Sequence, residues 1–284
     1  MSVAAAMPQF IEWEREHRSL ILAARARASD QAASGPRYGL FVSLRDGLHR
    51  CVERLIECVN GVDLRLNAPV RELSRTADGW RVTTDALQLN GDRLAIAGPA
   101  HLAAALLRSA DTTLADELAA IPYAGAAILN LSFAADQLPN LPVAAGFVVP
   151  AIEKRTVLAA TFMSVKYAGR APIGTHLLRV FCGGAGNEGL LDLPDVELIR
   201  RACGDLRDLL GLRGDPIFTQ VDRWPRSMAQ FHLGHRARVA RIRAREAATP
   251  LLALLGNGYE GVGIPDVIAQ ADAIAARWAL VPCI

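Results

Sequence analysis

Nothing in this sequence pairs its cysteines. Cys51, Cys58, Cys182, Cys203 and Cys283 form no C-x-x-C, which excludes a zinc knuckle and a redox dithiol, and their odd number suits free thiols in a reducing cytoplasm. An export signal is also lacking, because the start, Met1 to Met7, has neither a basic stretch nor a sustained apolar run. A cytoplasmic protein is therefore expected. Charge of one sign is not in excess: 31 Lys and Arg against 29 Asp and Glu leave +2, so bulk electrostatics point to no nucleic-acid partner. The sequence contains no H-E-x-x-H, nucleophile elbow, Ser-His-Asp set or phosphate-binding P-loop. No repeat or low-complexity tract is visible beyond alanine richness. The most membrane-like stretch, 118–135, carries no charge, but Pro122, Asn130 and Ser132 and its small residues argue for a mostly buried strand instead of a span.

What is present is apolar bulk, 51% of 284 residues, enough for one large domain or two modest ones. Helical spacing over 10–27 (Phe10, Trp13, Leu20, Ile21) runs into a linker at Ser34-Gly35-Pro36. From Gly47 a second helix carries Leu48, Cys51, Val52, Leu55 and Val59 on one face, with Gly61 placed for a left-handed cap. Strands are predicted at 64–66, 70–73, 80–84 and 94–97, after which Pro99 opens a helix through His101 to Leu107. The grain then changes. Strands predicted at 126–133, 147–149, 157–163, 177–182 and 217–224 make a sheet-built second domain. One helix interrupts it, capped by Asp195, striped by Val196, Ile199, Leu206 and Leu209, and ended by Gly211.

The most informative stretch runs from Leu251 through Gly256-Asn257-Gly258-Tyr259-Glu260-Gly261-Val262-Gly263-Ile264-Pro265-Asp266 into a long alanine-rich helix ending near Trp278. It reads as buried strand, glycine loop and helix. Glycines let a backbone approach a ligand, and a helix start offers unpaired N–H groups and a positive dipole end. The alternative is that the glycines only shape a turn and Asp266 only complements the dipole. A second glycine cluster, Gly184 to Gly189, satisfies G-x-G-x-x-G but does not open into a helix, as a dinucleotide site requires. Of the histidines only His232 and His235 are close together, and they read as polar loop residues instead of a metal pair. Arg236, Arg238, Arg241, Arg243 and Arg245 divide between opposite sides of a helix and read as a solvated face.

Taken together, several segments resemble the flavin-dependent protoporphyrinogen or coproporphyrinogen oxidases, members of the amine-oxidase-like flavoproteins. They include Pro8-Gln9-Phe10, Phe41-Val42-Ser43-Leu44-Arg45-Asp46-Gly47-Leu48, Gly146-Phe147-Val148-Val149-Pro150 and Gly169-Arg170-Ala171-Pro172. Further along come Leu178-Arg179-Val180-Phe181-Cys182-Gly183-Gly184, Arg223-Trp224-Pro225 and the terminal Gly256-to-Asp266 loop, all in the family's order.

The resemblance implies an α+β fold: a sheet-based substrate domain flanked by part of an α/β FAD-binding domain, amine-oxidase-like and N-terminally incomplete. Its expected divisions are 1–40, a helical remnant of a substrate or membrane-binding insertion; 41–120, part of the FAD domain; 121–235, the substrate sheet; and 236–284, the rest of the FAD domain. FAD is the implied cofactor. Its binding falls to Val70, Trp224, Asn257, Gly258, Gly263, Ile264, Pro265 and Asp266, with the helix start stabilising negative charge on the pyrimidine edge as hydride arrives. Gly146, Val148, Thr161 and Phe181 are the implied lining of a flat apolar slot for a porphyrinogen. No protein acid, base or metal is required there.

Molecular oxygen would be the acceptor, in haem biosynthesis, with peripheral contact at the inner face of the cell membrane. The implied departures are a missing G-x-G-x-x-G start, Ala145 for an aromatic residue, Ala229 and Phe231 for proline and tyrosine, and Ala271 for a helix glycine. The alternatives are a related flavin oxidase acting on an amine or polyene, and a non-catalytic remnant docked on a partner that supplies the dinucleotide-binding half.

Overall fold

The computed structural model describes residues 1–26, 43–249 and 251–279. The linker expected at Ser34-Gly35-Pro36, the motif residues Phe41 and Val42, and Cys283 lie outside the described residues. The chain divides into two compact units, Met1–Ile121 with Phe231–Ile284, and Pro122–Gln230.

The first unit begins with α1 (Val3–Ala6), α2 (Pro8–His17) and α3 (20–26). The single helix predicted over 10–27 is broken at Arg18, whose φ of 56° makes a left-handed cap that donates its N–H to the Glu14 carbonyl. Ser19 Oγ then accepts the Leu22 N–H at 3.4 Å and restarts the helix. Next comes α4 (His49–Cys58), none of whose residues is buried. Gly61 does have φ +76°, but the helix has already ended in an extended Val59, so the expected glycine cap is not its cap. The strand predicted at 64–66 does not form either. Asn67, at φ 54°, and Pro69 turn the chain before any partner is reached.

A three-stranded antiparallel sheet follows, β1 (Val70–Arg75), β2 (Trp80–Thr84) and β3 (Gln88–Gly91), the last unforeseen. β4 (Leu94–Ala97), α5 (Ala100–Leu107) and α6 (Thr112–Ala119) complete this stretch. Asp111 caps α6 by accepting the Leu114 N–H at 2.9 Å. Leu73, Trp80, Leu107, Leu114 and Leu118 are buried here.

The second unit is one antiparallel sheet of five strands in the order β6-β7-β8-β5-β9. Its strands are β5 (Tyr123–Ala134), β6 (Gly146–Val148), β7 (Val157–Phe162), β8 (Thr175–Gly183) and β9 (Phe218–Ala229), with the short α7 (Met163–Lys166) after β7. The uncharged 118–135 stretch therefore supplies a central strand, and no helix among the described residues is long and apolar enough to cross a membrane.

One face of this sheet packs on α8 (Asp195–Leu210). Leu129, Leu131, Phe133, Phe162, Leu178 and Val180 meet Leu198, Ala202, Cys203 and Leu206 there in the unit's apolar core. The helix thus buries a face one step round from the predicted stripe, leaving Val196 80% exposed. Gly211 ends it at φ 68°, as expected, but Asp195 caps nothing and instead accepts a hydrogen bond from Arg223.

Burial pushes the Cys182 thiol up to about 12 and raises Cys203 as well, whereas Cys51 and Cys58 are exposed on α4. Iodoacetamide at pH 8 is expected to label Cys51 and Cys58 within minutes and to spare Cys182 and Cys203 until denaturant is added, because the thiolate is the reacting species. Peptide mass mapping reads this directly. Rapid labelling of Cys182 would contradict the packing of α8 on the sheet.

The chain returns to the first unit with α9 (His235–Ala248), β10 (Leu252–Leu255) and α10 (Ile264–Ala279). β10 pairs in parallel with β4, Leu252 opposite Leu94 through Leu255 opposite Ala97. The helix α10 has no buried residue.

On α9 one expectation holds only in part, since Arg236, Arg241 and Arg245 are exposed, and another fails. Its arginines are not simply solvated: Arg238 and Arg241 pair with Glu117, Arg245 with Asp111, and Arg243 with Glu246 and Glu260. The hydrogen bond from Arg241, with Arg238 beside it, holds the Glu117 carboxyl below its ordinary value. His235 is not a loop residue either. It is buried, stacks on Phe231 at 4.0 Å between ring centroids, and donates from Nε2 to the Tyr259 carbonyl at 3.0 Å. His232 is exposed, and no His, Cys, Asp and Glu group suited to a metal occurs among the described residues.

Candidate functional site

Each unit holds a candidate site of its own, and the two are described separately. In the first, β4 and β10 run side by side in the same direction and each is followed directly by a glycine, Gly98 and Gly256. A parallel pair that runs into glycine and turns into helices leaves a crevice beyond the carboxyl ends of its strands, where α/β folds place their ligands. Gly256 has φ +145°, and a Cβ on it would stand 2.4 Å from the Gly98 carbonyl oxygen. Glycine is thus required by both backbone and neighbour. Gly98 is different: a Cβ there would meet nothing within 4 Å.

The loop between β10 and α10 is braced from within. Gln270 Oε1 accepts the Gly256 N–H at 3.0 Å, and its amide donates to the Glu260 carbonyl at 2.9 Å, so one side chain holds both ends. Asp266 Oδ2 accepts the Gly263 N–H at 2.9 Å, so part of the helix start is already satisfied by its own carboxylate. Behind the loop, the buried Glu246 lies between Arg243 and Arg277. Arg243 also donates to the Leu254 carbonyl at 2.8 Å and lies 4.9 Å over the Tyr259 ring. Burial disfavours its charge, but the Glu260 and Glu246 carboxylates prevail and raise its pKa. Arg277 reaches the Leu252 carbonyl at 3.4 Å. Strand, loop and both helices are thereby tied together.

Asn257, Gly258, Gly263, Ile264, Pro265 and Asp266 all lie in this turn, with Gly258 buried and Ile264, Pro265 and Asp266 exposed. Val70 does not join them on the parallel pair. It opens β1 of the antiparallel sheet, next to a register irregularity.

In the second unit, residues paired across neighbouring strands share a face. Gly146 pairs with Thr161, Thr161 with Arg179, Arg179 with Asn130, and Asn130 with Gln220. The adjacent row is Val148, Ala159, Phe181, Ile128 and Asp222. Gly146, Val148, Thr161 and Phe181, drawn from β6, β7 and β8, therefore stand on one face, the one turned away from α8. Trp224, paired with Ala126 and 55% exposed, is on that face too. Gly146 has a structural reason as well, since a Cβ there would lie 2.0 Å from the Ala160 carbonyl oxygen. The G-x-G-x-x-G match at Gly184 to Gly189 leads into a 3-10 turn, Glu188–Asp192, and not an α-helix.

Residues 1–277 match the family of flavin-containing amine oxidoreductases. The chain belongs to that family. It is 31% identical over 278 residues to the coproporphyrinogen III oxidase of Bacillus subtilis (strain 168), a match covering 96% of this chain and 59% of that protein. It is 32% identical over 303 residues to the coproporphyrinogen III oxidase of Propionibacterium freudenreichii subsp. freudenreichii, covering 95% of this chain and 56% of that one. A crystal structure from Exiguobacterium sp. 255-15, provisionally assigned as a protoporphyrinogen oxidase, superposes with a TM-score of 0.83 at 28% identity. That match covers 99% of this chain and 59% of the other. The chain thus spans 56% to 59% of the length of these relatives.

Residues that sequence reasoning did not single out include Gly98, whose carbonyl Gly256 must approach, and the Glu246 clamp. Their signals are non-local. The polar partners on the sheet face, Asn130 and Gln220, carry no local motif at all.

Proposed function

We propose that this chain takes part in the FAD-dependent oxidation of a porphyrinogen, protoporphyrinogen IX or coproporphyrinogen III, to the porphyrin with oxygen as acceptor, in haem biosynthesis. The observation that carries the reading is the single sheet face shared by Gly146, Val148, Thr161 and Phe181. Val148, Ala159, Phe181 and Ile128 in its adjacent row offer apolar surface for a macrocycle to lie on. The cofactor fits the first unit, because the open space at Gly98 and the Cβ-free approach of Gly256 leave a backbone cradle beyond the parallel strands.

Bound FAD supplies the hydride acceptor. Asn257, Gly258 and the start of α10 from Gly263 to Asp266 would hold its reactive ring system, and the helix dipole there favours negative charge. Val70 and Trp224 are further contacts in this proposal. The sheet face orients the substrate, and Gly146, Val148, Thr161 and Phe181 supply no carboxylate or imidazole to it; the carboxylate on the face, Asp222, is engaged by Gln220. The proposal places the chain in the cytoplasm, and the exposed Leu20, Ile21 and Leu22 on α3 support its peripheral contact with a membrane.

Incubation with excess FAD and desalting is expected to leave a visible flavin band, and added porphyrinogen is expected to give porphyrin fluorescence faster than autoxidation. A folded, colourless and inactive chain would overturn activity of this polypeptide by itself. A second reading, a polypeptide that supplies a dinucleotide-binding half, is favoured by the uncovered apolar residues of α4 and by α10, neither of which has a buried residue. Flavin retained only on co-expression with such a half would decide for it.

A further inference from the structure

The sheet face carries one feature the proposed reaction does not need. Arg179 stands in the polar row, paired on one side with Thr161 and on the other with Asn130. Its Nε donates to Asn130 Oδ1 at 3.2 Å, so a neutral amide fixes one edge of the guanidinium. Among the described residues no carboxylate lies within ion-pair distance of it. The carboxylate on this face, Asp222, sits in the next row and already accepts from the Gln220 amide at 2.9 Å. The neighbouring arginine of the sheet, Arg223, points to the opposite face and is engaged by Asp195 and by the Leu191 and Leu193 carbonyls. Arg179 therefore presents a half-buried positive fork beside the apolar row of Phe181 and Ala159. A guanidinium in that position is matched by an apolar macrocycle bearing a carboxylate on its rim.

We propose that Arg179 is the specificity-determining residue that selects the carboxylate-richer porphyrinogen. It would bind a propionate of coproporphyrinogen, where protoporphyrinogen offers a vinyl group. This rests on the porphyrinogen reading above. Loss of a charge-assisted hydrogen bond weakens binding by about 10-fold to 100-fold.

The test is a fluorescence titration of the full chain with coproporphyrin III and protoporphyrin IX, both kept monomeric in mild detergent, so that flavin loading is not needed. The unaltered chain is expected to bind coproporphyrin more tightly. Arg179→Leu is expected to weaken coproporphyrin about 10-fold or more while leaving protoporphyrin within about two-fold. Arg179→Lys should recover part of the loss, which a purely structural role would not do. Matching thermal melts show that the variants fold.

If the unaltered chain binds both porphyrins and Arg179→Leu leaves their ratio unchanged, the role of Arg179 is overturned and the porphyrinogen reading stands. If the unaltered chain binds neither, the porphyrinogen reading falls and this inference with it.

Discussion

Replacing Glu246 by leucine is expected to destabilise the first unit by about 3 kcal/mol. The carboxylate is only 4% exposed and lies between two guanidinium groups, Arg243 and Arg277. Removing it leaves their charges partly desolvated and unbalanced, and breaking a buried ion pair from one side costs about 3–5 kcal/mol. The lower end applies because Arg243 keeps Glu260 and Arg277 remains 46% exposed. In a unit of this size that corresponds to a melting temperature lower by about 10 °C. Glu260→Gln, acting on the same arginine from the solvent side, should cost about 1 kcal/mol or less. Thermal and urea melts of the two variants decide the matter, and a Glu246→Leu chain within about 1 kcal/mol of the original would show that the clamp is not buried as described. The clamp also matters for function. Arg243 and Arg277 hold the carbonyls of Leu254 and Leu252, so loss of Glu246 should also weaken flavin retention through the strand that leads into the glycine loop.

The parts of this fold that were legible in the sequence are those whose cause is local. The strands of the second unit announced themselves because their apolar runs are bounded by proline and glycine, and each stands where the spacing put it to within a few residues. The strand–loop–helix from Leu252 to Ala279 was legible for the same reason, because glycine and proline act on their own backbone. What was hidden depends on distant partners. β3, Gln88–Gly91, is exposed along its whole length and exists only because β2 pairs with it. His235 reads as polar until the Tyr259 carbonyl arrives from 24 residues away. The arginines of α9 look solvated until Asp111 and Glu117 are folded against them. The stripe on α8 was misplaced because Val196 and Leu198 are equally apolar, and only the sheet decides which is buried. In the candidate site the same division holds. The loop residues could be named from their chemistry, but the coincidence of Phe181, Thr161 and Gly146 on one face is a matter of register, which a one-residue slip would undo.

Gly256→Ala is expected to do the most damage of any single methyl added to this chain's candidate cofactor site. Two costs act at once. At φ +145° an alanine occupies backbone space reserved for glycine, at about 1–3 kcal/mol. Its Cβ would also stand 2.4 Å from the Gly98 oxygen and 3.2 Å from the Gly98 carbon, both backbone atoms that no rotamer change can move away. Relief requires β10 to part from β4, which breaks the bond from the Gly98 N–H to the Leu255 carbonyl and moves the Gly256 N–H away from Gln270. Together these amount to about 3–4 kcal/mol, with loss of flavin retention as the loop shifts. Gly98→Ala is the matched control, since its added methyl meets no atom within 4 Å and should leave the melt within about 1 kcal/mol of the original. Equal melts for the two variants would mean that the strands are not in the register described. A sharp difference, with flavin lost from Gly256→Ala, would tie the cofactor to the backbone geometry at the carboxyl ends of the parallel pair.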